Sequence, residues 1–154
     1  MREGNLEVEK DRTAGGVRTR RINGRGISKG TATGKALVTS QKISFLGAVD
    51  PVTGIIVDKS LEIYGESITG RILIFSGGKG STVGSYVIYQ LKKHDKSPLA
   101  MITRSAGTIV AVGAIIAEIP VVDSLELDPI DGDLIRDGEE VLVNGTEGYV
   151  ELLC

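Results

Sequence analysis

Between Phe75 and Ser85 the chain reads Phe-Ser-Gly-Gly-Lys-Gly-Ser-Thr-Val-Gly-Ser, a run of glycines, hydroxyls and one lysine set between a solidly apolar stretch and a periodic one. A run of this kind joins a buried strand to a helix, and such strand ends are where open α/β sheets hold ligands. Familiar phosphate-binding motifs do not fit. A P-loop requires Ser or Thr directly after Gly-Lys, whereas Lys79 is followed by Gly80. A dinucleotide fingerprint requires G-x-G-x-x-G, and Gly78, Gly80 and Gly84 leave one residue too many in the second gap. What remains is a loop whose backbone N–H groups, from Gly77 to Gly80 and into the first helical turn, favour an anion, with Lys79 adding a mobile positive charge. A serine hydroxyl held there ionises more readily than in water, because its alkoxide shares those donors and the helix dipole. Ser81 is therefore the candidate catalytic residue, able to take a proton from carbon or return it. From the bare pattern the commoner reading is a serine that only caps the helix.

The elements that position this loop follow from hydrophobic patterning. Arg71-Ile-Leu-Ile-Phe75 is a near-continuous apolar run suited to a central buried strand. Val83, Val87 and Leu91 then recur every four residues, which predicts a helix with Ser81 at or beside its N-cap. Pro98 to Thr103 predicts another strand, Thr108 to Glu118 a largely apolar helix capped by Thr108 or Gly107, and Ile119 to Val122 a short strand. The order β, α, β, α, β implies right-handed crossovers between parallel neighbours. Upstream, Lys35 to Thr39 and the alternating Leu61-Glu-Ile-Tyr64 read as strands, and Ser44 to Gly54 as a loop that exposes Phe45 and Leu46. Downstream, Glu140 to Val143 and Tyr149 to Leu153, set off by Gly145 and Gly148, read as a hairpin. With the glycine-rich steps from Gly24 to Gly34, these predict an α/β fold, a single β/β/α domain in which a β-barrel-like layer covers part of a parallel core. Residues 1–18, mixed in charge and without apolar periodicity, read as a flexible N-terminal extension, leaving 19–154 as the domain.

Composition narrows the function. Lys plus Arg number 18 and Asp plus Glu 20, a net charge of -2, so no global positive field favours nucleic acid or anionic lipid. The one cysteine, Cys154, allows no internal disulfide and no set of thiolate ligands, which suits a reducing cytoplasm. The one histidine, His94, lies in the polar run Lys92-Lys93-His94-Asp95-Lys96 and reads as a solvated helix-end residue rather than a ligand or triad member. The longest apolar stretch, Ile109 to Ile119, is interrupted by Gly113 and Glu118 and is too short to cross a bilayer; the charged start from Arg2 onward predicts no secretory signal.

Longer motifs carry a resemblance. Ser44-Phe-Leu-Gly-Ala-Val-Asp-Pro-Val-Thr-Gly54, Gly65-Glu-Ser-Ile-Thr-Gly-Arg-Ile-Leu-Ile-Phe75, Gly77-Gly-Lys-Gly-Ser-Thr-Val-Gly-Ser-Tyr86 and Asn144-Gly-Thr-Glu-Gly-Tyr-Val-Glu151 occur in this order, and together the chain from about Ile22 resembles the small subunit of the aconitase X family. The resemblance implies a swivelling β/β/α domain, as in the aconitase C-terminal domain, that closes over a larger catalytic subunit in a heterodimer. The larger subunit would carry an iron-sulfur cluster through its own cysteines, and this chain alone would bind no cofactor and be inactive. The family's proton acceptor, the first serine after Gly-x-Gly, falls on Ser81. Related aconitases place an arginine after a paired serine, whereas Val83 follows Ser81-Thr82, so that arginine's part in anion recognition does not carry over.

The implied activity is that of a hydro-lyase acting on a small phosphorylated hydroxy acid: dehydration of mevalonate 5-phosphate to trans-anhydromevalonate 5-phosphate, on the way to isoprenoids. Gly78, Lys79, Gly80, Thr82, Ser85 and Arg71 are the expected substrate contacts. For Arg71 a strand-edge surface charge serves equally well, and for Ser85 a back-bonded helix hydroxyl is the commoner case. Ser44 and Phe45 are equally an ordinary packed loop or part of the cleft or subunit contact. Within the family a cis-3-hydroxyproline dehydratase subunit is the alternative. Outside it stand a noncatalytic scaffold subunit and a phosphohistidine carrier, the latter suggested by Gly113 to Val122 but lacking a histidine there.

Overall fold

A computed structural model describes residues 19–153. The extension expected over residues 1–18, and Cys154, lie outside the described residues. The N-terminal strands are β1 (Thr19–Asn23), β2 (Arg25–Ser28), β3 (Thr31–Val38) and the short β4 (Lys42–Ile43), followed by one irregular turn, α1 (Phe45–Ala48). Then come β5 (Ile72–Phe75), β6 (Gly77–Gly78), α2 (Gly84–Lys93), β7 (Ala100–Thr103), α3 (Gly107–Ala117), β8 (Val121–Asp123), β9 (Glu140–Asn144) and β10 (Tyr149–Leu153).

The main sheet has the order β1-β10-β9-β3-β5-β7-β8-β2. Within it β3, β5, β7 and β8 are parallel neighbours, with α2 and α3 as the crossovers that the alternating pattern predicts. Strands β9 and β10 form the expected antiparallel hairpin, closed by Gly148 N–H donating to Asn144 O at 2.9 Å. Because β1 and β2 are joined through Gly24 alone yet stand at opposite ends of the order, the sheet has to curl until its ends meet. Backbone contacts record the closure. Gly24 N–H donates to Gly148 O at 2.8 Å, and Gly145 N–H donates to Gly30 O at 2.8 Å. A side chain on Gly26 would run into Gly145 O, and one on Gly145 into Ser28 O, so glycine is required by space at both places. This is the barrel-like layer expected from the glycine-rich N-terminus and the C-terminal hairpin.

Strand alternation divides the core. Ile72 and Ile74 of β5, with Ala100 and Ile102 of β7, point into the curl toward Ile22, Val141, Val143 and Val150. Leu73, Phe75 and Met101 point the other way, toward Val87, Ile88 and Leu91 of α2 and Val110 and Ala114 of α3. Being covered on both faces is why β5 reads as an unbroken apolar run. Among the described residues no helix is long and apolar enough to cross a membrane.

The segment leading to β5 departs from expectation. Leu61 to Tyr64 is not a strand but a pair of turns, with Leu61 N–H donating to Asp58 O at 3.1 Å and Tyr64 N–H to Leu61 O at 3.0 Å. Asp58 curls the chain by accepting from the Ser60 amide and hydroxyl at 2.9 and 2.7 Å, the local competition with extended structure that Asp offers. Leu61 and Ile63 are still buried and Glu62 and Tyr64 exposed, so the alternation reports burial correctly while the backbone does something else.

Filling the closure should be costly. Gly145→Ala is expected to lower unfolding free energy by about 1–3 kcal/mol, the usual scale for overpacking, read as a reduced denaturant midpoint; an unchanged midpoint would mean that the sheet ends are not in contact.

Candidate active site at the carboxyl edge of the parallel strands

The backbone of the Phe75 to Ser85 loop is held by what its glycines lack. Strand β6 pairs in parallel with β4, matching Lys42 to Gly77 and Ile43 to Gly78. A Cβ at Gly77 would lie 2.7 Å from Ser105 O, one at Gly78 would lie 2.8 Å from the Val110 side chain, and one at Gly80 would strike the Ser44 hydroxyl. Gly80 also sits at φ 88°, a conformation natural to glycine. The loop therefore lies flat against β4, Ser44 and the 105–110 segment, and the residues after Gly80 emerge into solvent.

Ser81 is exposed. Its Oγ accepts from Val83 N–H at 3.1 Å, and its carbonyl accepts from Gly84 N–H at 2.9 Å. Helix α2 starts at Gly84, so Ser81 caps a preliminary turn rather than the helix itself. Capping and chemical availability thus coexist: the hydroxyl faces outward, and the one backbone donor it receives and the nearby positive end of the α2 dipole each stabilise an alkoxide. The Lys79 amide is spent on Ile43 O at 3.2 Å, whereas the amides of Gly80, Ser81 and Thr82 have no acceptor among the described residues. The free donors thus lie closer to Ser81 than the sequence suggests. Lys79 is exposed and lies within electrostatic reach of Asp58, whose carboxyl is held below its usual range chiefly by the Ser60 hydroxyl and amide and to a lesser degree by Lys79.

The other expected contacts divide. Gly78, Lys79, Gly80 and Thr82 are in or beside this loop by chain position. Ser85 is turned inward: its hydroxyl donates to Ile109 O at 2.7 Å, fastening α2 to the first turn of α3 instead of orienting Ser81. It bonds across the helix pair, not back along its own helix. Arg71 is not brought to the loop. It precedes β5 while the loop follows it, so a strand of about 13 Å separates them, and its guanidinium pairs with Glu66 at 2.9 Å and Ser67 O at 3.2 Å. Phe45, expected to be exposed, is buried edge-on against Phe75 with ring centroids 5.8 Å apart; Leu46, beside it in the chain, does reach solvent. His94 ends α2, exposed, with Nδ1 2.9 Å from Gln90 O.

Polar groups that the sequence did not single out complete the edge. Neither Thr108 nor Gly107 caps α3; the cap comes from Asp123 at the end of β8, whose carboxylate accepts from Ala106 N–H at 2.8 Å. Asp123 is fully buried and also accepts from Arg25 Nε and Nη2 at 3.0 and 3.1 Å. Burial alone pushes its carboxyl up, but Arg25, the Ala106 amide and Ser124 together outweigh that and hold it below the usual range. Arg104 at the end of β7 reaches Ser76, Asp128 and Asp131. No local motif announces either residue, because their partners are distant in the chain.

Comparison with known proteins converges on one family. Residues 21–152 match the model described as the aconitase X swivel domain. This chain belongs to that family. Phosphomevalonate dehydratase small subunits of archaea are similar to it almost end to end. That of Methanosarcina mazei is 56% identical over 133 residues, 86% of this chain and 91% of the relative. That of Thermococcus kodakarensis is 50% identical over 133 residues, 86% of this chain and 96% of the relative. The crystal structure of Thermococcus kodakaraensis aconitase X in its holo form superposes with a TM-score of 0.81 at 49% identity, covering 87% of this chain and 98% of that one. The fold expected for a swivelling aconitase-like domain is the fold observed.

The Asp123 carboxyl sets a pH dependence. Since it ionises in the folded protein below the ~3.9 of an unfolded Asp, it contributes stability above that pH, and the contribution is lost as pH falls toward its folded value. Asp123→Asn should cost about 1–3 kcal/mol near neutrality and flatten the acid limb of the stability curve; an acid limb of unchanged slope would remove Asp123 from that role.

Proposed function

We propose that this chain is the proton-handling small subunit of a two-chain dehydratase that converts mevalonate 5-phosphate to trans-anhydromevalonate 5-phosphate. The observation that carries the reading is Ser81: in a chain at least half identical over 133 residues to phosphomevalonate dehydratase small subunits, the one serine that follows Gly-x-Gly is presented outward at the carboxyl edge of the parallel strands, with amides beside it that have no acceptor among the described residues.

In this reading Ser81 Oγ, as alkoxide, takes the proton from the carbon next to the one bearing the hydroxyl. The electron pair of that C–H bond becomes the carbon-carbon double bond, the C–O bond breaks with its pair going to oxygen, and the departing hydroxide becomes water by receiving the proton back from the Ser81 hydroxyl, which regenerates the alkoxide. The Val83 amide and the α2 dipole favour the alkoxide before the step. The amides of Gly80 to Thr82 and the Lys79 ammonium form the anion-favouring side of the edge, suited to a carboxylate or phosphate of the substrate.

The chain has one cysteine, and among the described residues no group of three His, Cys, Asp or Glu side chains converges as a metal site. An iron-sulfur cluster is held by several thiolates, so these residues do not fit one, and we assign the cluster to the larger partner subunit. A noncatalytic scaffold remains the second reading, favoured by the fact that Ser81 Oγ already has a structural hydrogen bond.

Turnover of the assembled enzyme separates them. Ser81→Ala is expected to keep the subunit contact while lowering kcat by about a hundredfold or more, the scale of a lost general base. A Ser81→Ala complex that turns over mevalonate 5-phosphate at the wild-type rate would establish the scaffold instead.

A further inference from the structure

Ser76 is the residue at which β5 gives way to the glycine loop, and several distant segments meet on it. Its N–H donates to Gln41 O at 3.1 Å, its carbonyl accepts from Ser105 N–H at 3.5 Å, and its hydroxyl accepts from Arg104 Nη1 at 3.4 Å. The same guanidinium donates through Nε to Asp128 at 2.9 Å and through Nη2 to Asp131 at 2.8 Å. Arg104 thereby ties the start of the Ser81 loop to the segment that follows β8.

Charge decides what such an arginine can do. Two carboxylates face one guanidinium. Burial, the largest single influence, pushes the Asp128 carboxyl up, but the amides of Ile130 and Asp131 together with Arg104 more than offset it and keep it ionised below its usual range. A cation answered in this way has little charge left to attract an anionic substrate, whereas the rigid fork of an arginine can fix several groups at once. Beyond Ser76 the loop has no side chain of its own to pack at Gly77, Gly78 or Gly80, so its placement depends on backbone pairing with β4 and on how firmly its first residue is held.

We propose that Arg104 is a positioning residue for the dehydration: clamped by Asp128 and Asp131, it fixes Ser76 and through the glycine loop sets where Ser81 Oγ is presented. This rests on the reading of Ser81 as proton acceptor. Arg104 touches no reacting atom in this scheme.

The test uses the assembled two-subunit enzyme with mevalonate 5-phosphate. Arg104→Ala should lower kcat by about tenfold to a hundredfold with KM changed by no more than about twofold, as expected when a reacting group is displaced while substrate binding stays intact. Ser76→Ala leaves both ion pairs in place and should move kcat in the same direction by less; it carries the test if Arg104→Ala fails to fold. Arg104→Lys should restore only part of the rate. Arg104→Ala combined with Ser81→Ala should be no slower than Ser81→Ala alone, since both act on one step through one hydroxyl. Independently of activity, backbone amides of residues 77–79, the part of the loop paired with β4, should exchange hydrogen faster in the Arg104→Ala complex while those of β5 and β7 do not. Wild-type kcat in both Arg104→Ala and Ser76→Ala, beside an inactive Ser81→Ala, would overturn the positioning role alone, as would losses that multiply in the double variant. Wild-type turnover by Ser81→Ala would defeat the proton-acceptor reading, and this role with it.

Discussion

Close approach of the backbone to a neighbouring segment, possible only where a side chain is missing, is the constraint on which this molecule depends. It acts twice. At one place Gly26 and Gly145 let the two ends of the sheet touch, which converts a mixed sheet into a curled layer with an interior of its own. At the other, Gly77, Gly78 and Gly80 let the loop after β5 lie against Ser105, Val110 and Ser44. The first gives a rigid body; the second lays a flexible sequence flat upon it. Glycine carries the greatest conformational freedom of any residue in the unfolded chain, so a loop so rich in it stays in place only through the hydrogen bonds and ion pairs that meet along it.

Those ties also give the carboxyl edge of the parallel strands its charge. Lys79 and the amides of Gly80 to Thr82, which have no acceptor among the described residues, favour an anion beside Ser81. Asp128 and Asp131 answer Arg104, whose guanidinium reaches Ser76 at the start of the same loop. The buried Asp123 joins the two layers: one carboxylate grips Arg25 of the curled layer and the amide of Ala106 ahead of α3, and so ties the barrel-like layer to the helical one.

Much of this was legible in the sequence wherever a local preference and the tertiary structure agree. The apolar run at Ile72–Phe75, the four-residue recurrence in α2 and the turn residues of the β9 and β10 hairpin are of that kind. The placement of Ser81, exposed between the glycine loop and α2, was legible because glycines, a strand end and a helix start all converge on it. What failed was what depends on contacts between distant residues. Leu61 to Tyr64 alternates like a strand but is curled by Asp58; Phe45 sits in a loop but is claimed by Phe75; Arg71 neighbours the loop in sequence but is held a strand away. Arg104 and Asp123 carry no motif, and their importance appears only when β7, β8 and the loops beyond them are placed side by side.

Proton removal by this chain requires the Ser81 hydroxyl to meet the substrate carbon inside the assembled enzyme. A structure of the two-subunit complex with mevalonate 5-phosphate bound tests it most directly. Ser81 Oγ is expected at about 3–3.5 Å from the carbon that loses its proton, a near-attack distance. A complex in which Ser81 faces solvent, or in which another group occupies that position, would contradict it.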